Sequence, residues 1–140
     1  VFDPRQPKQH RGRIVDTMAL NLDLPATFLD WAGVPVPASY QGTSLKPMIE
    51  GKATPETWRK DFFCEHFNPR YSMSWEGVRG PRFKYARYVD QKPAYEFLHD
   101  LKDDPDELVN LATNPEYTAQ LKLMRRRTDA LAEGYVNALD

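Results

Sequence analysis

The sequence predicts an α+β fold: a helical N-terminal portion, then a four-stranded antiparallel sheet, then a long C-terminal helix covering that sheet. Three observations carry this reading. Apolar residues alternate with period two between residues 61 and 101. The connections between those runs are too short for crossover helices, so the strands must pair antiparallel. After Asn114 the apolar spacing changes to three and four, the mark of one helix face.

Residues 3–13 (DPRQPKQHRGR) are polar, basic and aperiodic, and read as a loop. Val1-Phe2-Asp3-Pro4 begins as though a strand had been cut, so the sequence reads as a piece of a longer polypeptide. An apolar stretch, Ile14 to Leu22, leads to Asp23-Leu24-Pro25, which predicts a helix start with Asp23 as its cap. That helix carries Leu24, Phe28, Leu29 and Ala32 on one face and stops at Gly33 before Val34-Pro35. Residues 34–43 form an extended, Pro-rich connection. Ser44 to Gly51 reads as one or two helical turns with Leu45, Met48 and Ile49 inward.

Strands are predicted near 61–67, 73–79, 82–89 and 95–101, with Gly80-Pro81 as the turn between the second and third. In the first strand Phe62, Cys64 and His66 share one face, and Phe63, Glu65 and Phe67 the other. A helix near 115–138 opens on an Asn114 cap, a first-turn Pro115 and the helpful charge of Glu116. Its seam is Tyr117, Leu121, Met124, Thr128, Leu131, Tyr135 and Leu139. The chain thus divides into a helical segment, 1–60, and a sheet-plus-helix segment, 61–140.

Composition narrows the function classes. The 140 residues carry 19 basic and 20 acidic side chains, a net charge of −1, which gives bulk charge no role in binding nucleic acid. With 41% hydrophobic and 12% aromatic residues the chain can build a packed core. No apolar run reaches the roughly 18 residues of a membrane span. A single cysteine, Cys64, excludes an internal disulfide framework and a multi-cysteine zinc site.

Few residues are spaced for chemistry. Cys64 has His66 on the same strand face, but reads best as a small hydrophobe in the sheet. His10, His66 and His99 are scattered, with no paired spacing for a metal. The acidic run Asp100–Glu107 fails as a calcium loop, because Lys102, Pro105 and Leu111 stand where a ligand, a glycine and a glutamate are needed. It reads as a turn closing the fourth strand. Arg125-Arg126-Arg127 reads as a solvated helix face, and no Gly-rich phosphate loop occurs.

The order of local motifs says more. Asp23-Leu24-Pro25-Ala26-Thr27-Phe28-Leu29-Asp30-Trp31-Ala32-Gly33-Val34-Pro35 resembles the sulfatase segment D-L-x-P-T-L-L-D-L-A-G-V-P, with Pro25 one place early. Gln41 to Gly51 resembles Q-G-x-S-L-x-P-L-L-x-G, and Trp58-Arg59 and Glu65-His66 follow at the family's interval. Val78 to Tyr85 is similar to I-R-T-x-R-Y-K-Y, and Glu96 to Ala112 to E-L-Y-D-L-x-x-D-P-x-E-x-x-N-L-A. Five such pieces in order over nearly the whole chain resemble the C-terminal part of a sulfatase, in the branch of the N-sulfoglucosamine sulfohydrolases.

The resemblance implies a parent hydrolase that cleaves sulfate esters or sulfamates, with calcium and a formylglycine in an N-terminal catalytic domain of the same polypeptide. Family members are often exported or lysosomal. Cys64 does not match the formylglycine motif, because His66 and Asn68 stand where Pro or Ala and then Arg are required. No catalytic or metal-binding residue is therefore assigned to this chain. Its implied role is to support the catalytic domain and wall the substrate cleft. The alternative is an independent, non-catalytic binding module. A sulfated carbohydrate calls for Arg or His at the sulfate, carboxylates at hydroxyls and an aromatic ring at the sugar face. The loop between the first two strands offers Glu65, His66, Asn68, Arg70, Tyr71 and Trp75, with His66 and Arg70 foremost.

Overall fold

The period-two patterning becomes four strands, β1 (Phe62–His66), β2 (Trp75–Arg79), β3 (Phe83–Tyr88) and β4 (Glu96–Asp100). They form one antiparallel sheet in the order β1-β2-β3-β4. This is a computed structural model, and it describes residues 14–52, 58–67 and 73–137, with Lys8, Gly12, Glu56 and Arg70 besides. The chain divides into two units, Val1–Arg59 and Lys60–Asp140.

In the second unit, register and pleat put Phe63, Val78, Tyr85 and Leu98 on one face of the sheet. Helix α3 (Thr118–Asn137), entered through a 3-10 turn at Pro115–Tyr117, packs on that face. Val78, Tyr85 and Leu98 are buried with Leu121 and Met124, flanked by Phe83, Leu111, Ala112, Tyr117 and Leu131. Full burial of a Val or Leu side chain contributes about 1.5–3 kcal/mol, so this cluster is the main source of stability in the unit. Asn114 caps the entry as expected, its side chain accepting from the Glu116 amide at 3.0 Å. Leu139 of the expected seam lies outside the described residues.

The arginine run is not simply a solvated face. Arg125 is half-buried and donates to both carboxylate oxygens of Glu96, on β4. Arg127 donates to both oxygens of Asp61 at 2.7 and 2.8 Å. On the sheet side Arg87 reaches Glu76 at 2.8 Å and Asp129 of α3 at 2.6 Å. The Glu96–Arg125 and Arg87–Asp129 pairs join sheet to helix and fix the helix's rotation over the core. Beneath them the Tyr85 hydroxyl donates to Glu96 at 2.6 Å. Burial and that carboxylate push the Tyr85 hydroxyl's pKa up.

The acidic run after β4 knots itself together. Asp100 accepts from Arg82 at 2.6–3.0 Å and from the Lys102 amide at 3.2 Å. Asp104 accepts from the Val109 amide at 2.8 Å, and Glu107, at φ +57°, pairs with Lys84 at 2.6 Å. Asn110 then binds the chain back along β4. Its oxygen accepts from the Leu98 and Ala112 amides, and its nitrogen donates to the Glu96 carbonyl.

The first unit holds helix α1 (Asp23–Trp31) and the short α2 (Lys46–Ile49). Here the structure corrects the expected cap. Leu22 occupies the cap position, and Asp23 is the first helical residue, fully buried. Its carboxylate accepts from the Leu20 and Thr43 amides at 2.7 and 2.9 Å and from both ends of the Arg59 guanidinium. Thr27 bridges in the same way, donating to the Asp23 carbonyl and accepting from the Leu45 amide at 2.9 Å. Met48 of α2 is buried, with Leu45 and Ile49 half-buried beside it. Gly42 is demanded by close approach, because a Cβ there would sit 1.8 Å from the Leu22 carbonyl oxygen.

Candidate functional site

His66 and Trp75 fall on the sheet's other face, the one α3 does not cover. His66 ends β1 and lies directly opposite Trp75, which begins β2. Their rings stack with centroids 6.3 Å apart and planes 22° from parallel. Trp75 in turn faces Tyr88 on β3. Tyr88 meets Tyr95 at 6.2 Å and Phe97 at 5.9 Å, and Tyr95 meets Phe97 edge-on at 4.9 Å. The result is a row of rings across the end of all four strands.

The candidates of this loop do not all converge. Glu65 precedes His66 on the strand and so turns to the opposite face, where it is paired in register with Glu76. Arg70 is exposed in the loop, and Asn68 and Tyr71 lie outside the described residues. Tyr88, Tyr95 and Phe97 went unnoticed in the sequence, since only cross-strand register aligns them with His66 and Trp75. A row of rings beside an imidazole offers an apolar stacking surface with a hydrogen-bonding group at its edge.

Farther along the same face is a cavity of about 240 Å³ lined by Lys84, Ala86, Phe97, His99 and Glu107. His99 is buried and its Nδ1 lies 3.0 Å from the Val109 carbonyl oxygen. Cys64 sits on this face with its Sγ 3.7 Å from the Gly77 carbonyl oxygen. Burial pushes the thiol pKa up, and Lys84 offsets this only in part. Such a thiol stays protonated, which suits the small-hydrophobe reading.

The residues described here do not fit a sulfatase's catalytic groups. Among them no cluster of three His, Cys, Asp or Glu is placed to hold a metal ion. Cys64, the single cysteine, lies against a backbone carbonyl within the sheet.

A layered α+β unit of this order is the fold of the sulfatases' C-terminal region. Residues 4–134 match the family described as N-sulphoglucosamine sulphohydrolase, C-terminal, and the chain belongs to it. It is 32% identical over 136 residues to N-acetylglucosamine-6-O-sulfatase of Bacteroides thetaiotaomicron, covering 94% of this chain and 24% of that protein. A solved structure in complex with its substrate D-glucosamine-2-N,6-O-disulfate matches with a TM-score of 0.72 and 31% identity, covering 82% of this chain and 24% of that one. The phosphonate monoester hydrolase of Agrobacterium radiobacter matches with a TM-score of 0.75 and 25% identity, over 89% of this chain and 27% of that one. The chain therefore spans about a quarter of the length of the relatives it matches. Among the described residues no helix is long and apolar enough to cross a membrane.

Proposed function

We propose that this chain is the C-terminal part of a sulfatase acting on sulfated sugars, and that the catalytic groups lie in the remainder of a longer polypeptide. Calcium and formylglycine, where the family uses them, belong to that remainder. This region supports the catalytic domain and walls the substrate cleft. The observation that carries the reading is the His66–Trp75 stack at the sheet end with Arg70 in the adjoining loop. His66 and Arg70 suit the sulfate and Trp75 the ring face. Glu65 and Tyr71 complete the candidate set, although Glu65 turns to the other side of the strand.

The test uses the longer polypeptide with two substrates, a sulfated oligosaccharide and a small aryl sulfate. A charge-assisted hydrogen bond contributes about 1.5–3 kcal/mol. His66→Ala and Arg70→Ala should then each raise KM for the oligosaccharide by roughly tenfold or more, with little change for the aryl sulfate, which has no sugar to grip. Equal effects on both substrates, or none, would remove these residues from sugar recognition.

A further inference from the structure

On the sheet face that α3 leaves uncovered, the register sets Gly77 opposite Ala86, and Ala86 opposite Phe97. Two small residues side by side leave room there for the cavity of about 240 Å³. Ala86 and Phe97 are its apolar lining, and Lys84, His99 and Glu107 its polar lining. Pockets for drug-sized ligands run to about 300–1,000 Å³, so this one suits a single ring.

Each polar group of the lining is held in place. His99 is 9% exposed, and its Nδ1 donates to the Val109 carbonyl at 3.0 Å, which leaves Nε2 as the nitrogen for a ligand. Its ring also stacks on Phe97, with centroids 6.0 Å apart and planes 21° from parallel. Glu107 sits at φ +57°, a left-handed conformation that strains a residue with a side chain. The turn keeps it there. Asp104 accepts the Glu107 amide at 3.1 Å on its carbonyl and the Val109 amide at 2.8 Å on its carboxylate. So placed, the Glu107 carboxylate meets the Lys84 ammonium at 2.6 Å. Both groups stay partly exposed, and each has hydrogen-bonding capacity beyond that one contact. Strain spent on the wall of a cavity points to a ligand.

We infer that this cavity binds an unsulfated pyranose ring of the glycan, as a subsite apart from His66 and Trp75. A pyranose has an apolar C–H face and a rim of hydroxyls, each both donor and acceptor. Phe97 and Ala86 meet the face. At the rim Lys84 donates, Glu107 accepts and His99 takes a further hydroxyl through Nε2. A sulfate is disfavoured, because the Glu107 carboxylate already neutralises Lys84 and repels a second anion. Ala86 stands two residues before Tyr88 on β3, about 7 Å along the strand, so a short stretch of glycan reaches both the cavity and the ring row. The inference rests on the proposed function for the glycan, and on the cavity alone for the ring it takes.

Methyl β-glucoside, a neutral pyranose, is the probe. It is titrated into the longer polypeptide carrying carbon-13 alanine methyls, with the Ala86 signal identified by its loss in Ala86→Ser. The Ala86 methyl should shift saturably with a Kd of about 1–10 mM, the affinity that roughly thirteen non-hydrogen atoms support. Sodium sulfate at the same concentration should leave it unmoved. Glu107→Gln keeps the side chain's size and removes the charged acceptor, so it should weaken the glucoside at least about tenfold. An Ala86 methyl unmoved by glucoside, or moved as far by sulfate, overturns the inference. So does a folded Glu107→Gln that binds the glucoside as tightly as the native protein. Where that variant fails to fold, the comparison of glucoside with sulfate on the native protein decides. Sulfatase turnover of the same preparation reads the proposed function separately. Glucoside binding without turnover leaves the cavity and removes that function, and turnover with an unmoved Ala86 does the reverse.

Discussion

Asn110 holds the strand–loop junction on which the sheet's core depends, and its removal has a cost that can be worked out bond by bond. Its oxygen accepts from the amides of Leu98 at 3.1 Å and Ala112 at 3.0 Å, and its nitrogen donates to the Glu96 carbonyl at 2.9 Å. Leu98 is fully buried, so in Asn110→Ala no water replaces the lost acceptor. A buried amide left without a partner costs about 1–3 kcal/mol, and the half-buried Ala112 amide sits at the low end. The sum for Asn110→Ala is roughly 2–4 kcal/mol. Asn110→Asp keeps both acceptor bonds but sets a carboxylate oxygen against the Glu96 carbonyl where the donor stood, so a cost of similar size is expected. Urea unfolding followed by far-UV circular dichroism measures the difference, and amide exchange at Leu98 locates it. A loss under about 0.5 kcal/mol, the range of unremarkable surface changes, with unchanged exchange at Leu98 would refute the reasoning.

Four further outcomes are expected. Gly77→Ala would put a Cβ 2.1 Å from the Tyr85 carbonyl oxygen and 2.9 Å from the Ala86 Cα, both backbone atoms. It should therefore destabilise by roughly 1–3 kcal/mol or more in thermal unfolding. Gly134→Ala meets nothing within 4 Å in an exposed stretch of α3 and should stabilise by about 0.5–1 kcal/mol. Asp23→Asn strips the carboxylate from Arg59, whose side chain is 16% exposed, and should cost roughly 3–5 kcal/mol. Burial raises the Asp23 carboxyl, but Arg59 and the Thr43 and Leu20 amides outweigh it and hold the pKa below its ordinary value. Its contribution is therefore complete above about pH 4 and lost as acid carries it through the folded pKa, so Asp23→Asn flattens that limb in tryptophan-monitored unfolding. Finally, Cys64 in the native protein at pH 8 should react with a disulfide reagent at least about tenfold more slowly than in urea, and equal rates would contradict its burial.

Elements whose cause lies within a few residues were legible in the sequence. Asn114-Pro115-Glu116 opens the long helix because cap and first turn are local, and Gly80-Pro81 turns β2 into β3 with a 2.9 Å bond from Gly80 to Phe83. Strand faces were legible too, since alternation is a property of the backbone alone, and it already separates Glu65 from His66. The family followed from the same local motifs.

Tertiary structure alone decided which partner each polar side chain would take. Asp23 reads as a cap because an aspartate beside a helix start satisfies free amides locally, yet its cation, Arg59, lies 36 residues away. Arg125 and Arg127 read as solvated because their acids, Glu96 and Asp61, stand 29 and 66 residues off. The ring row beyond Trp75 needed the β2–β3–β4 register to bring Tyr88, Tyr95 and Phe97 together. Even the apolar stripe of α1 was visible as a stripe, and only folding decided that it faces out. Periodicity specifies that two sides of a helix differ. Which side turns inward depends on what the rest of the chain brings to meet it, and here that was the hydrogen-bonding loop at residues 42–46.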